Sequence, residues 1–265
     1  MKYFLTVFLS FFSLQYGFSQ KSWTIIEEQP ETGYQLSYYI KGSKMAVVDE
    51  FSTLVYDTKN SNMTVILPQI RAYYTGTLLE YREGMVAQVK TRAQKARGEN
   101  KKLLLQMADA LEKATTSSRD ISPDIEVRLV SDGPVVLNYP TKKYQVIVNG
   151  KVRREMFISN ELPVFSQIGF EGIAAFRRQM SLFVQYNVFF EDNAQYIALM
   201  DQGLMLSYTD FEAGYAIKTL VKSVSQRVFS DKQFLPPTGY KKLSAAELAS
   251  AQLDMSGGGS ADLMP

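Results

Sequence analysis

The sequence predicts an α+β fold in which an antiparallel sheet gathers helices against one face. Three observations lead there. Stretches with apolar residues at every second position recur in separate blocks and are joined by short polar turns, the pattern of half-buried strands in meanders and hairpins. Between those blocks the apolar residues recur every three or four positions, which is helical spacing. The hydrophobic content of 46% and charged content of 21% are those of a chain that can bury a sizeable core.

Residues 1–19 read as a signal peptide. Lys2 supplies the positive start, and Phe4–Leu14 is apolar but shorter than the roughly 20 residues that span a bilayer. Gly17 and Ser19 are small residues where a signal peptidase reads the chain, so the mature protein is expected to begin at Gln20 and to be exported to the periplasm or the cell exterior. One domain is expected over 20–254, with a disordered Gly/Ser-rich tail over 255–265.

The first β block opens at Gly33–Lys41, where Tyr34, Leu36, Tyr38 and Ile40 alternate with polar or outward residues. Lys41-Gly42-Ser43 turns the chain. Lys44–Asp49, Phe51–Asp57 and Asn62–Leu67 follow as a meander, closed by Pro68. Trp23–Glu28 is expected to add a strand at its edge.

Helical spacing then takes over, with Leu104, Met107, Ala108 and Leu111 as one stripe. Gly98 and Asn100 are stop and restart signals, so the spacing predicts two helices, Leu79–Arg97 and Asn100–Ala114, as a helical insertion over 79–114. Lys90, Arg92, Lys95, Arg97, Lys101 and Lys102 cluster there. They form either a solvated helix face or a surface for an anionic membrane or partner.

Thr115–Ser122 and Pro123 make a loop before β structure resumes at Asp124–Val130, Pro134–Tyr139 and Tyr144–Val148. Asn149-Gly150 is the strongest hairpin signal in the chain. On the return strand, Val152, Met156 and Ile158 alternate, while Arg153, Arg154 and Glu155 imply that one face is wet or charge-paired. Ile173, Phe176, Met180, Phe183 and Val184 then describe an apolar helical stripe, with Arg177, Arg178 and Gln179 opposite. Asp192 or Asn193 caps a short helix through Met200 that stops at Gly203. Leu204–Thr209 and Tyr215–Phe229 form a last hairpin, Pro236-Pro237 makes an extended segment, and Ser244 with Glu247 fits a capping box for a terminal helix to about Leu253.

The chain has no Cys and no His, which excludes disulfides, the usual zinc, haem and blue-copper sites, and any Ser-His or Cys-His catalysis. Neither a GxGxxG nor a Walker pattern occurs, and no cofactor is expected. Thr219-x-x-Lys222 and Thr238-x-x-Lys241 lie on a strand and in a Pro-rich turn, so neither sets a nucleophile beside a base on one helical turn. Asp210 and Glu212 flank a turn, where solvation explains them. The net charge of +2 gives no reason to expect nucleic acid as a partner. Sixteen Tyr and sixteen Phe stand against one Trp, and Tyr73, Tyr74, Tyr81, Tyr186, Tyr196, Tyr208 and Tyr215 either line a cavity or fill the core.

Three stretches carry a resemblance: Tyr38–Ile66 with its glycine turn and tyrosine strand, Asn138–Leu162 with its Lys-Tyr-x-Val strand, and Val221–Leu243 with its Pro-x-Gly-Tyr-Lys segment. Together they resemble a secreted bacterial domain-of-unknown-function family related to the LolA/LolB-type half-barrel lipoprotein carriers. The resemblance implies a curved antiparallel half-barrel that wraps helices over an apolar cavity, and it brings no catalytic residues. With the helical stripe, it makes Ile173, Phe176, Met180, Phe183, Tyr186 and Tyr208 candidates to line a cavity for a lipid or acyl chain. The alternative is a solid-cored envelope scaffold that binds a protein through the basic helix, and the third reading is a carboxylate-based hydrolase.

Overall fold

The computed structural model describes residues 22–113, 123–181, 190–212 and 214–255. The signal-peptide segment, the Thr115–Ser122 loop, Phe183, Val184, Tyr186 and the tail beyond Met255 lie outside the described residues. In chain order the elements are β1 (Ser22–Gln29), β2 (Tyr34–Lys41), β3 (Lys44–Val48), β4 (Thr53–Asp57), β5 (Asn62–Leu67), β6 (Ala72–Thr77), α1 (Leu78–Lys95) and α2 (Gly98–Lys113). They continue as β7 (Ile125–Asp132), β8 (Lys142–Val148), β9 (Lys151–Ser159), α3 (Phe170–Ser181), α4 (Ala194–Gln202), β10 (Leu204–Glu212), β11 (Tyr215–Gln226), β12 (Lys241–Lys242) and α5 (Ala245–Met255).

The twelve strands among the described residues join one open sheet, ordered β12-β6-β5-β4-β3-β2-β1-β11-β10-β9-β8-β7. Every neighbouring pair is antiparallel except β12 with β6. The α+β class and the meander of the first β block are therefore as the sequence predicts. Strand β1 is not the edge strand expected of Trp23–Glu28. It is central, because β11 returns from the far end of the chain to pair with its free side.

Two further expectations need correction. Strand β6 follows a left-handed residue at Arg71, which the polar sequence around Pro68 concealed. Pro134–Tyr139 is no strand but a tight turn closed by a Val136–Tyr139 bridge, with Leu137 and Asn138 both at positive φ.

Period-two alternation puts Ile25, Tyr38, Ile40, Met45, Tyr56, Met63, Val65 and Tyr74 on one face, where the helices bury them. Helices α3 and α4 cover the stretch from β2 through β1 to β8, whereas α1, α2 and α5 cover β4–β6. Phe176 of α3 joins the two cores by stacking on Tyr56, ring centroids 4.0 Å apart. Helix α1 is thus integral to a core rather than an appendage: Tyr81, Met85 and Val89 are buried in it. Thr77 and Glu80 box its first turn, and Ser244 with Glu247 does the same for α5.

On the opposite face, Tyr39, Ala46 and Val55 are covered by the segment after β11, through Phe229 and Phe234. This strap must pass β1–β5 to deliver β12 to β6. Lys41 fastens it, its Nζ donating to Phe229 O at 3.1 Å and to Asp231 at 2.7 Å.

Candidate functional site

Between α3, α4 and the centre of the sheet lies a cluster of charged side chains that sequence alternation did not single out. In β9, Arg154 shares the inward face with Met156 and Ile158 and is only 8% exposed. Bulges surround it: Arg153 is unpaired against β8, Leu206 against β9 and Lys222 against β1. Bulges re-aim side chains, and these bring Arg154, Tyr208 and Asp210 together with Glu27 of β1.

Arg154 is held on three sides. Its Nε and Nη2 donate to Asp210 at 2.6 and 3.0 Å, and its Nη1 donates to Glu191 at 3.0 Å and to the Tyr196 hydroxyl at 2.6 Å. The Tyr208 and Phe190 rings pack on its guanidinium at 4.8 and 4.9 Å, within cation–π range. Arg177, reaching down from α3, donates to the second oxygen of Glu191 at 3.1 Å. Asn193 caps α4, as its sequence predicts, and so places Tyr196 one turn inside.

Glu27 differs from the rest. Among the described residues, its carboxylate accepts one hydrogen bond, from the Tyr38 hydroxyl at 3.0 Å, and lies in no ion pair of the cluster. Burial pushes its carboxyl above the ordinary value, opposed by the Tyr38 hydrogen bond and by the charges of Arg177 and Arg154. For Glu191 burial acts in the same sense, but Arg177 and Arg154 outweigh it and hold the carboxyl below its ordinary value. Burial pushes the Tyr208 phenol up to about 12, with Glu27 adding to the effect.

These groups form one side of a cavity of about 200 Å³. Glu27, Tyr38, Arg154, Arg177, Glu191 and Tyr208 supply its polar wall, and Ile25, Phe165, Phe170, Met200, Leu204 and Met205 its apolar one.

Of the residues the sequence offered as cavity lining, Tyr208 does line it. Ile173 and Phe176 are packed in the cores at 0% and 4% exposure, and Met180 is half-buried against the second core. The described part of the stripe, Ile173–Met180, therefore serves as core packing, and the cavity is met instead by Arg177 from the helix's polar side. Arg154 takes the charge-paired alternative of the sequence reading, through Glu191 and Asp210, and Asp210 is not a solvated turn residue but the partner of Arg154. The available signal was a charge in phase with Met156 and Ile158, and another in phase with Ile25.

Among the basic residues, Lys90 pairs with Glu112 and Lys102 approaches Glu99 at 4.0 Å. Arg92 bonds to Asp254 and to the Ser250 carbonyl. Lys95, Arg97 and Lys101 are exposed around the α1–α2 turn. Among the described residues, no helix is long and apolar enough to cross a membrane.

No protein-family model and no curated protein matches the chain. A solved structure of PNGF-II, in a C2 crystal form, is similar over 89% of this chain at 12% identity, with a TM-score of 0.38. The chain spans 33% of the length of that structure, and at this distance the likeness assigns neither a fold family nor an activity.

Proposed function

We propose that this is an exported, non-catalytic binding protein that shelters a small amphiphilic ligand between its sheet and α3–α4, in the manner of the half-barrel carriers its sequence resembles. The observation that carries this reading is the 200 Å³ cavity with one apolar and one polar wall. Such a volume lies below the roughly 300–1,000 Å³ of drug-sized sites, so it favours a short molecule, or the end of a longer one, over a whole acyl chain. Binding is favoured over catalysis because both oxygens of Glu191 are already engaged by arginines, which leaves that carboxylate occupied as a structural anion.

Native mass spectrometry of protein purified from its own envelope, followed by solvent extraction, tests the reading. A co-purifying small molecule is expected, and Met205→Trp, which fills the cavity, should lose it. Protein that stays ligand-free at every lipid and metabolite concentration overturns the proposal.

A second reading, contact with an anionic membrane or an envelope protein, is favoured by Lys95, Arg97, Lys101 and Lys102 standing beside exposed Leu103 and Leu105. Sedimentation with anionic vesicles should then fall as salt rises, and absent or salt-independent binding removes it.

A further inference from the structure

Resting on the binding reading above, we infer that the cavity takes a compact organic cation, a primary or secondary ammonium seated on Glu27 with its hydrocarbon against the apolar wall. The argument is one of charge and of hydrogen-bond capacity. The cluster holds two guanidinium groups, Arg154 and Arg177, and three carboxyls, Glu27, Glu191 and Asp210. Asp210 uses both oxygens on Arg154, and Glu191 divides its two between Arg154 and Arg177. The arginines are thereby matched within the protein, and the one negative charge left over is that of Glu27 when it is ionised.

A carboxylate has about four acceptor positions, and among the described residues Glu27 uses one, on Tyr38. Its remaining capacity faces the cavity it lines. An ionised carboxylate buried without an opposite charge is costly. An ammonium removes that cost, and its N–H groups fill the open acceptor positions. An anionic ligand would meet the surplus negative charge and two arginines already engaged. A quaternary ammonium has no N–H to offer.

The apolar wall of Phe165, Phe170, Met200 and Met205 suits a few carbons. A cavity of this order is what an engineered apolar site needs to admit benzene, which sets the size of the cation.

Binding must follow the protonation of Glu27. The groups facing it are Tyr38 from β2, Arg177 from α3, Arg154 from β9, Tyr208 from β10 and Glu191 before α4. Near and below neutrality, alkylammonium probes stay charged and the arginines and phenols do not titrate. Affinity should therefore rise as Glu27 loses its proton.

The test is isothermal titration calorimetry of the purified protein between pH 4 and 8. The probes are butylammonium and benzylammonium, with butanol, benzyl alcohol and butyrate as controls of matched size. The ammonium probes should bind at least about tenfold more tightly than the alcohols, with affinity increasing about tenfold per pH unit below the Glu27 titration. Glu27→Gln should erase the preference while alcohol binding persists. Tyr38→Phe, which removes one stabiliser of the charged carboxyl, should move the pH midpoint upward. If alcohols or butyrate match the ammonium probes and Glu27→Gln changes nothing, the cation assignment falls and the binding reading stands. If no probe of any class binds, both fall.

Discussion

Arg154 grips both oxygens of Asp210 across the β9–β10 ladder, where the two residues are direct register partners. A fork of this kind is the strongest geometry available to an ion pair, and here it is buried. Removing the cation alone strands Asp210 and half of Glu191. Arg154→Met is therefore expected to lower stability by about 3–5 kcal/mol, the usual result of breaking a buried pair from one side. Asp210→Asn should cost less, because Arg154 keeps Glu191 and Tyr196. Urea denaturation of the three proteins checks the order.

The two cavity carboxyls should give the stability–pH curve opposite slopes. Glu27 holds its proton more firmly in the folded chain than at the ordinary 4.5, so its contribution is full below 4.5 and is lost as pH rises through the raised native value. Glu191, lowered by its arginines, contributes fully above 4.5 and loses that contribution as pH falls through the native value. Urea midpoints measured from pH 3 to 8 should show Glu27→Gln lacking the decline on the alkaline side. Glu191→Gln should lack the decline on the acid side.

The Tyr56–Phe176 stack is the joint between the two helical layers. Phe176→Ala should cost about 3–5 kcal/mol, the range for truncating a buried aromatic. Hydrogen exchange offers the sharper readout, since amides of α3 and of β4–β5 should lose protection together. Loss confined to α3 would mean that the stack is not a joint.

Helices α1 and α5 approach so closely at Gly84 that a Cβ there would lie 2.6 Å from the carbonyl carbon of Ala245. Gly84→Val should displace α5 at a cost of about 1–3 kcal/mol, typical of overpacking. Limited proteolysis should then cut first within Ala245–Met255, which the native protein protects.

Much of the architecture was legible before any coordinates. The Asn149-Gly150 hairpin, the Asn193 cap and the Ser244–Glu247 box are local rules, and each appears where its residues stand. The break at Gly98 likewise separates α1 from α2, at φ 58°. What escaped is non-local. Nothing within Trp23–Glu28 says that a strand two hundred residues later will flank it, and an edge position was the natural expectation. The site escaped for a related reason. A charged residue in an apolar register reads as noise in one strand, and Glu27, Arg154 and Arg177 acquire meaning only when three bulges and a capped helix bring them together. The Ile173–Met180 stripe conveyed burial correctly, but burial alone does not separate a ligand wall from core packing.

The two-residue strand β12 has a consequence for the order of assembly. Its pairing with β6 and the strap that leads to it come from residues 227–242, yet they seal strands formed from residues 34–77, well over a hundred positions earlier. A nascent chain therefore carries an unlatched sheet with a greasy back, and long sequence separations of this kind slow folding. Truncation before Phe229 should leave a protein that collapses but does not lock, so the Phe229–Lys242 segment acts as the clasp of the sheet.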